Sequence, residues 1–276
     1  MTHLRIGYST CPNDTYIFAG LPGSEDDSPF TFDPVLADVE TLNGWALEKR
    51  LDITKLSFFA FGKVREQYAL LHAGGALGRG CGPVIVSRPG TDLRELENGI
   101  IAAPGDLTTA RLLLTLYLKK EPQFKQMVFS EIMPAVCEGK ADFGLVIHEG
   151  RFTYQDHNLQ ILLDLGEWWE QETGYPIPLG GIAIRRDLGE NMAREVDRCI
   201  RTSLNIARNG SEHVTNYVMF HAQEMIPRVV QQHIDLYVNR FSEDLGEEGR
   251  EAILFLMDQA ERAGRVKPCS LPLMAY

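Results

Sequence analysis

Along the first two thirds of the chain, short apolar runs alternate with amphipathic stretches, the spacing expected of strands separated by helices. Leu4 to Tyr8 reads as a first strand, followed by the loop Ser9-Thr10-Cys11-Pro12-Asn13-Asp14, in which Asn13 or Asp14 is placed to cap a helix starting near Thr15. An acidic, proline-containing stretch from Gly23 to Pro29 leads to a short strand at Val35 to Ala37. A helix carrying Leu42, Trp45, Ala46 and Leu47 then begins at Asp38 or Thr41. Ile53 to Phe58 reads as the next strand, with Val64, Tyr68, Leu70 and Leu71 on a following helix. This alternation predicts an α/β protein whose helices cover a parallel sheet.

The segment from Gly74 to Pro83 is the most glycine-dense of the chain, which implies a hinge or close approach of backbones, and it leads into an apolar strand at Val84-Ile85-Val86. It lacks a Gly-Lys-Ser/Thr ending and precedes a strand, so it is a poor nucleotide loop. Ile100 to Ala103 is another strand, 104–107 a turn, and Thr108 to Leu114 the first turns of a helix. A helix through Ile132, Ala135 and Val136 and an apolar strand, Asp142 to Ile147, bring the chain to His148. A strand at Leu159 to Leu163, a helix through Trp168-Trp169 and a strand at Gly180 to Arg186 follow. From Leu188 to Gly264 the pattern is helical, broken near Asn209-Gly210, Pro227 and Leu245-Gly246. The order suggests a discontinuous first α/β lobe of residues 1–87 and 184–276 with a helical C-terminal part, and a second α/β lobe, 88–183, inserted into it. Two crossing strands would form the hinge, with the ligand cleft between the lobes.

Composition narrows the function. With 38 acidic and 27 basic side chains the formal charge is −11, and no basic stripe with interleaved aromatics offsets it, which argues against nucleic acid as a partner. An anionic small molecule stays open, because a cleft can present local cations and helix starts whatever the net charge. Five dispersed cysteines without a Cys-x-x-Cys pair suggest neither a disulfide framework nor a thiolate metal site, and fit a reducing cytoplasm. No export signal and no apolar run of about eighteen residues is visible, so neither secretion nor a membrane span is expected.

His148 is the leading candidate for chemistry. It closes a buried strand, where open α/β folds bind ligands, and its side chain titrates near neutrality; the alternative is a histidine merely hydrogen-bonded to its own loop. Thr108 and Thr109 bring two hydroxyls to the N–H groups of a helix start, suited to a carboxylate, although this segment taken alone favours an ordinary threonine cap. Lys55 and Ser57 share strand parity, and Ser57 either donates in the cleft or packs under a helix. Arg79 and Arg151 are candidate anion partners. Asp142 and Glu149 flank the His148 strand without being forced to face it, and Cys11 receives no catalytic role. The remaining histidines show no metal-ligand spacing, so no metal is expected.

Taken together, Arg5 to Thr15, Asp38 to Asn43, Thr54-Lys55-Leu56-Ser57, Gly74 to Pro83, Thr108-Thr109, Ile147 to Tyr154 and Tyr237 to Ser242 resemble the 1,4-dihydroxy-6-naphthoate synthase family of the futalosine route to menaquinone, almost end to end. The resemblance implies a periplasmic-binding-protein type II fold and a carbon-carbon lyase acting on cyclic dehypoxanthinyl futalosine. It implies His148 as general base and Lys55, Leu56, Ser57, Thr108 and Thr109 as substrate-binding residues, with Asn13, Asn43, Arg79 and Arg151 as further candidate contacts. No metal or organic cofactor is implied. Two alternatives share the architecture: chorismate dehydratase, which acts earlier in that pathway, and a non-catalytic carboxylate-binding protein.

Overall fold

The computed structural model describes residues 2–21, 30–222 and 226–276, so the acidic stretch from Gly23 to Pro29 lies outside the described residues. The chain opens with β1 (Thr2–Tyr8) and α1 (Pro12–Phe18). The helix starts three residues before the expected Thr15, because Pro12 supplies a pre-set φ at the first helical position. Its cap is therefore Cys11, and Asn13 and Asp14 fall inside the first turn.

There follow β2 (Phe30–Leu36), α2 (Val39–Leu47), β3 (Ile53–Ser57) and α3 (Phe58–Val64). Asp38 caps α2 by accepting from Glu40 N and Thr41 N. The helix expected over 64–71 is thus displaced. The aromatic run Phe58-Phe59-Ala60-Phe61 forms a buried helix directly after β3, and Tyr68–Leu70 is instead a strand, β4, paired with Ala183 to Arg185. Only Lys63 of its seven residues is exposed, and a helix with so narrow a polar face shows no 3.6-residue period in the sequence.

After β5 (Ala76–Gly78) the chain crosses to β6 (Val84–Ser87), β7 (Ile100–Ala103), α4 (Thr109–Leu118), β8 (Gln123–Gln126), α5 (Phe129–Cys137), β9 (Phe143–Val146), α6 (Gly150–Thr153), β10 (Gln160–Asp164) and α7 (Leu165–Thr173). It returns through the long β11 (Ile177–Arg185) and finishes in helices α8 (Gly189–Arg208), α9 (Glu212–His221), α10 (Pro227–Tyr237), α11 (Arg240–Glu243) and α12 (Gly246–Arg262). None of the described helices is long and apolar enough to cross a membrane.

Two sheets organise these elements. The first has the order β2-β1-β3-β11-β4 with β5 on β11, and the second the order β10-β6-β9-β7-β8. Both are mixed rather than parallel: β1 runs parallel to β2 and β3, while β11 is antiparallel to β3, β4 and β5. In the second, β7 is parallel to β8 and β9, and β6 is antiparallel to β9 and β10. The chain changes sheet between 78 and 84 and again between 173 and 177, so the boundaries expected at 87 and 184 each fall one strand beyond the crossing. Nothing in an apolar run says which sheet will accept its hydrogen bonds.

Cores sit on both faces. Leu4, Ile6 and Tyr8 of β1 pack with Val196, Ile200 and Leu204 of α8, each burial contributing about 1.5–3 kcal/mol for the larger aliphatics. A further core is continuous across the lobes, joining Phe58 and Phe61 of α3 to Leu113 and Leu114 of α4 and to Ile253, Leu256 and Ala260 of α12.

Candidate active site

Where the two sheets face each other, a cavity of about 80 Å³ is lined by Ser9, Asn13, Asp14, Lys55, Leu56, Ser57, Thr108, Thr109, Ala110, His148 and Tyr237, with Val39, Pro83, Ile147 and Leu179 among its apolar walls. A wider cleft of about 790 Å³ adjoins it and shares Ser9, Val39, Ile147 and His148, so His148 stands on the wall common to both. Seven of the ten sequence-predicted site residues thus meet here: His148, Lys55, Leu56, Ser57, Thr108, Thr109 and Asn13.

His148 arrives differently from expectation. The strand ends at Val146, and His148 lies in a turn at φ 53°, a left-handed conformation that costs a non-glycine residue about 1 kcal/mol or more. Strand parity therefore does not decide its direction. Both His148 and Glu149 turn toward His233 of α10. The rings of His148 and His233 are parallel within 3° at 5.7 Å between centroids, and Phe129 meets His148 edge-on at 6.0 Å. Burial pushes the imidazole down to about 4; His233 and Lys55 reinforce that shift, while Glu149 and Asp14 oppose it. At neutral pH the ring is uncharged and able to accept a proton.

Beneath the cavity lies a buried polar chain. Lys55 Nζ contacts Asp14 Oδ1 at 2.9 Å and donates to the Gly74 carbonyl at 3.2 Å. Asp14 Oδ1 also accepts from Asn13 Nδ2 at 2.8 Å, and Oδ2 accepts from the Ser9 hydroxyl at 2.7 Å and the Ser9 N–H at 3.1 Å. A fully partnered ion pair of this kind fixes geometry more than it adds stability. Lys55 is thereby committed to Asp14, and reaches the cavity as a positioned, neutralised cation.

The hydroxyls are committed too. Thr108 Oγ1 donates to the Gly105 carbonyl and accepts from Arg111 N, an ordinary helix cap. Thr109 Oγ1 donates to the Leu179 carbonyl at 2.6 Å and accepts from Phe59 N at 3.3 Å, tying α4 to β11 and α3. What remains for a ligand at this wall is the first turn of α4, whose N–H groups precede any intrahelical acceptor.

Asn43 lies behind the cavity wall. Fully buried, it donates from Nδ2 to Ser57 Oγ at 3.1 Å and accepts from Ser57 N at 2.9 Å, so its role is to orient Ser57. Arg79 and Arg151 are also outside the cavity. Arg79 is paired with Glu170 and Glu248, and Arg151 is bonded to Asp164 and to the Gly82 carbonyl; both line a shallow depression away from His148. Their charges are satisfied within the fold.

Three residues were not anticipated as site components. Glu40 Oε1 accepts from Asp106 N at 2.6 Å and Leu107 N at 3.0 Å, bridging α2 to the turn before α4. Tyr237 lines the cavity, and burial pushes its phenol upward. His233 is fully buried, with Nε2 2.9 Å from Asn13 Oδ1. His148, Glu149 and His233 bring potential donor atoms within 4.8 Å of one another. No local motif announces this group, because His233 comes from a helix far along the chain.

The model of the family described as menaquinone biosynthesis matches residues 4–262. The chain belongs to this family. It is 46% identical over 273 residues to the 1,4-dihydroxy-6-naphthoate synthase of Thermus thermophilus, covering 99% of each chain. It is 43% identical to the enzyme of the same name from Streptomyces coelicolor, covering 99% of this chain and 98% of that one. Together these matches indicate 1,4-dihydroxy-6-naphthoate synthase activity in menaquinone biosynthesis. Among solved structures, a protein from Archaeoglobus fulgidus superposes with a TM-score of 0.89 at 31% identity, covering 96% of this chain and 98% of that one. The periplasmic aliphatic sulphonate binding protein of Escherichia coli superposes at 0.66 with 11% identity, covering 97% and 89%, which identifies the fold as that of the periplasmic binding proteins.

Proposed function

We propose that this member of the menaquinone family is a carbon-carbon lyase that converts cyclic dehypoxanthinyl futalosine to 1,4-dihydroxy-6-naphthoate, with His148 as the general base. The observation that carries the reading is the uncharged imidazole of His148 on the wall shared by a small cavity and a wider cleft. A base there can remove a proton next to a carbonyl of a substrate that spans both spaces. The enolate pair forms a double bond to the β-carbon as the bond from that carbon to its carbon substituent breaks. The departing fragment takes the pair as a hydroxyketone enolate and is protonated by the His148 imidazolium, and aromatisation of the ring makes the later steps downhill. The anionic end of the substrate is received by the first turn of α4 and the hydroxyl of Ser57, since both arginines considered for that task are paired elsewhere. The lobes close over the substrate and exclude water. The reaction takes place in the cytoplasm and needs no added cofactor.

Incubating purified protein with cyclic dehypoxanthinyl futalosine and following the naphthoate by mass spectrometry tests substrate and reaction together. His148→Asn is expected to lower kcat by about 10²–10⁴-fold with binding retained. Turnover of that variant within a few-fold of the parent would remove His148 from the role, and binding of the substrate without any product from the parent protein would favour a carrier.

A further inference from the structure

His233 and Glu149 meet across the lobes with one proton unaccounted for. The His233 Nε2 faces Asn13 Oδ1 at 2.9 Å. The orientation of that amide is fixed at its other end, where Nδ2 donates to Asp14 Oδ1, a carboxylate oxygen already paired with Lys55. Asn13 Oδ1 is therefore an acceptor, and His233 must carry a proton on Nε2. The second ring nitrogen, Nδ1, lies 3.5 Å from Glu149 Oε2. Both atoms are buried, and neither has a hydrogen-bond partner elsewhere among the described residues. A neutral ring would turn the Nδ1 lone pair toward a carboxylate oxygen, two buried acceptors in contact, which costs more than placing a proton between them.

We propose that Glu149 and His233 hold a proton between them as an imidazolium-carboxylate pair, which fastens the His148-bearing turn of the second lobe to α10 and positions the His148 ring. His233 is a positioning residue; it does not line the cavity. Its surroundings decide where the proton rests. Glu149 and His148 face it from the second lobe, Asn13 from α1, and Tyr237 from its own helix at 4.7 Å between rings, while the Asp14–Lys55 pair acts on the neighbouring His148 and Cys11 on Glu149 and Tyr237. Burial would raise the Glu149 carboxyl, but the facing imidazoles bring it to about 2, so Glu149 is the carboxylate of the pair. A cation 5.7 Å from the parallel His148 ring then keeps that ring uncharged.

The charge state stands on its own, whereas its effect on turnover rests on His148 being the base. The direct test is long-range ¹H–¹⁵N correlation of the histidine rings in the full-length protein at pH 7.5, with His233→Gln for assignment. Two protonated nitrogens on His233 are expected; an unprotonated Nδ1 overturns the proposal, and so does a stoichiometric divalent metal that a chelator removes with a change in these signals. In turnover, His233→Gln is expected to lower kcat by about tenfold or more with a smaller change in KM, and to move the acid limb of kcat/KM upward by about one pH unit as His148 loses its cationic neighbour. Glu149→Asp is expected to recover part of kcat. A purely packing role would lower stability and leave the acid limb in place. Should His148→Asn remain active while the His233 signals show two protons, the base assignment fails and the proton pair survives.

Discussion

Lowering the pH tests the environment of His148 most directly. Burial takes its imidazole from 6.5 to about 4, and at 1.36 kcal/mol per pH unit this disfavours the cation by about 3 kcal/mol. If the uncharged ring is the base, kcat/KM is level from pH 8 to about 5 and half-lost near pH 4. At pH 5.5 an enzyme with this histidine keeps about 97% of its activity, whereas an unperturbed imidazole would leave about 9%. The same shift fixes a stability trend. Between pH 6.5 and about 4 the unfolded chain binds the proton and the folded one does not, so the contribution of this group is complete above 6.5 and falls by about 3 kcal/mol as the pH descends to 4. The assay is initial-rate kinetics across pH 4 to 8, with the substrate's ionisation titrated separately and far-ultraviolet circular dichroism confirming the fold at each point. A half-loss of activity between pH 6 and 7 with the protein folded would refute the argument that burial sets the charge of His148.

Three further outcomes follow from the packing around the cavity. Lys55→Met leaves the buried Asp14 carboxylate without its cation and is expected to cost about 3–5 kcal/mol, read from the urea midpoint; a loss below about 1 kcal/mol would mean that the pair is open to solvent. Asn43→Ala removes two hydrogen bonds to Ser57, with an expected loss of about 2–3 kcal/mol and a rise in KM; an unchanged KM would show that the orientation of Ser57 does not matter to substrate binding. Gly82→Ala places a methyl 2.3 Å from the Cα and 2.4 Å from the N of Gly166, where only backbone can yield, so a loss of about 1–3 kcal/mol by thermal unfolding is expected, and a variant as stable as the parent would contradict that close approach.

Much of this arrangement is legible before folding, and the missing parts share a physical reason. β1, β7 and α4 can be read because their apolar periods are local, and Thr108 shows the cap that its position suggests. The glycine-dense segment also keeps its meaning: Gly82 lies against Gly166, and the Gly74 carbonyl receives Lys55. α3 is misread because a helix whose one exposed residue is Lys63 has no polar stripe to betray its period. Arg79 and Arg151 attract attention as cations, yet the acids that neutralise them, Glu170, Glu248 and Asp164, depend on packing that charge counting cannot see. His233 is the sharpest case. In the sequence it is one histidine on an amphipathic helix, and only the docking of α10 on α1 brings it to Asn13 and Glu149.

The contacts between the lobes differ in kind from one side of the cavity to the other. On one side α3, α4 and α12 share an apolar core, reinforced by the Thr109 hydroxyl bridging Leu179 and Phe59. On the other the lobes meet through polar groups: Glu40 on the 106–107 backbone, and Glu149 beside His233. Separating the apolar seam exposes several large side chains at about 1.5–3 kcal/mol each, whereas the polar side holds only a few charge-assisted contacts, at about 1.5–3 kcal/mol each, that water can replace. The cheaper separation is therefore on the polar side, with the seam acting as the pivot. Glu40 and Glu149 both line the wider cleft, on whose wall His148 also stands. On the reading proposed above, parting Glu149 from His233 would therefore open the wider cleft and release the His148 ring in one movement.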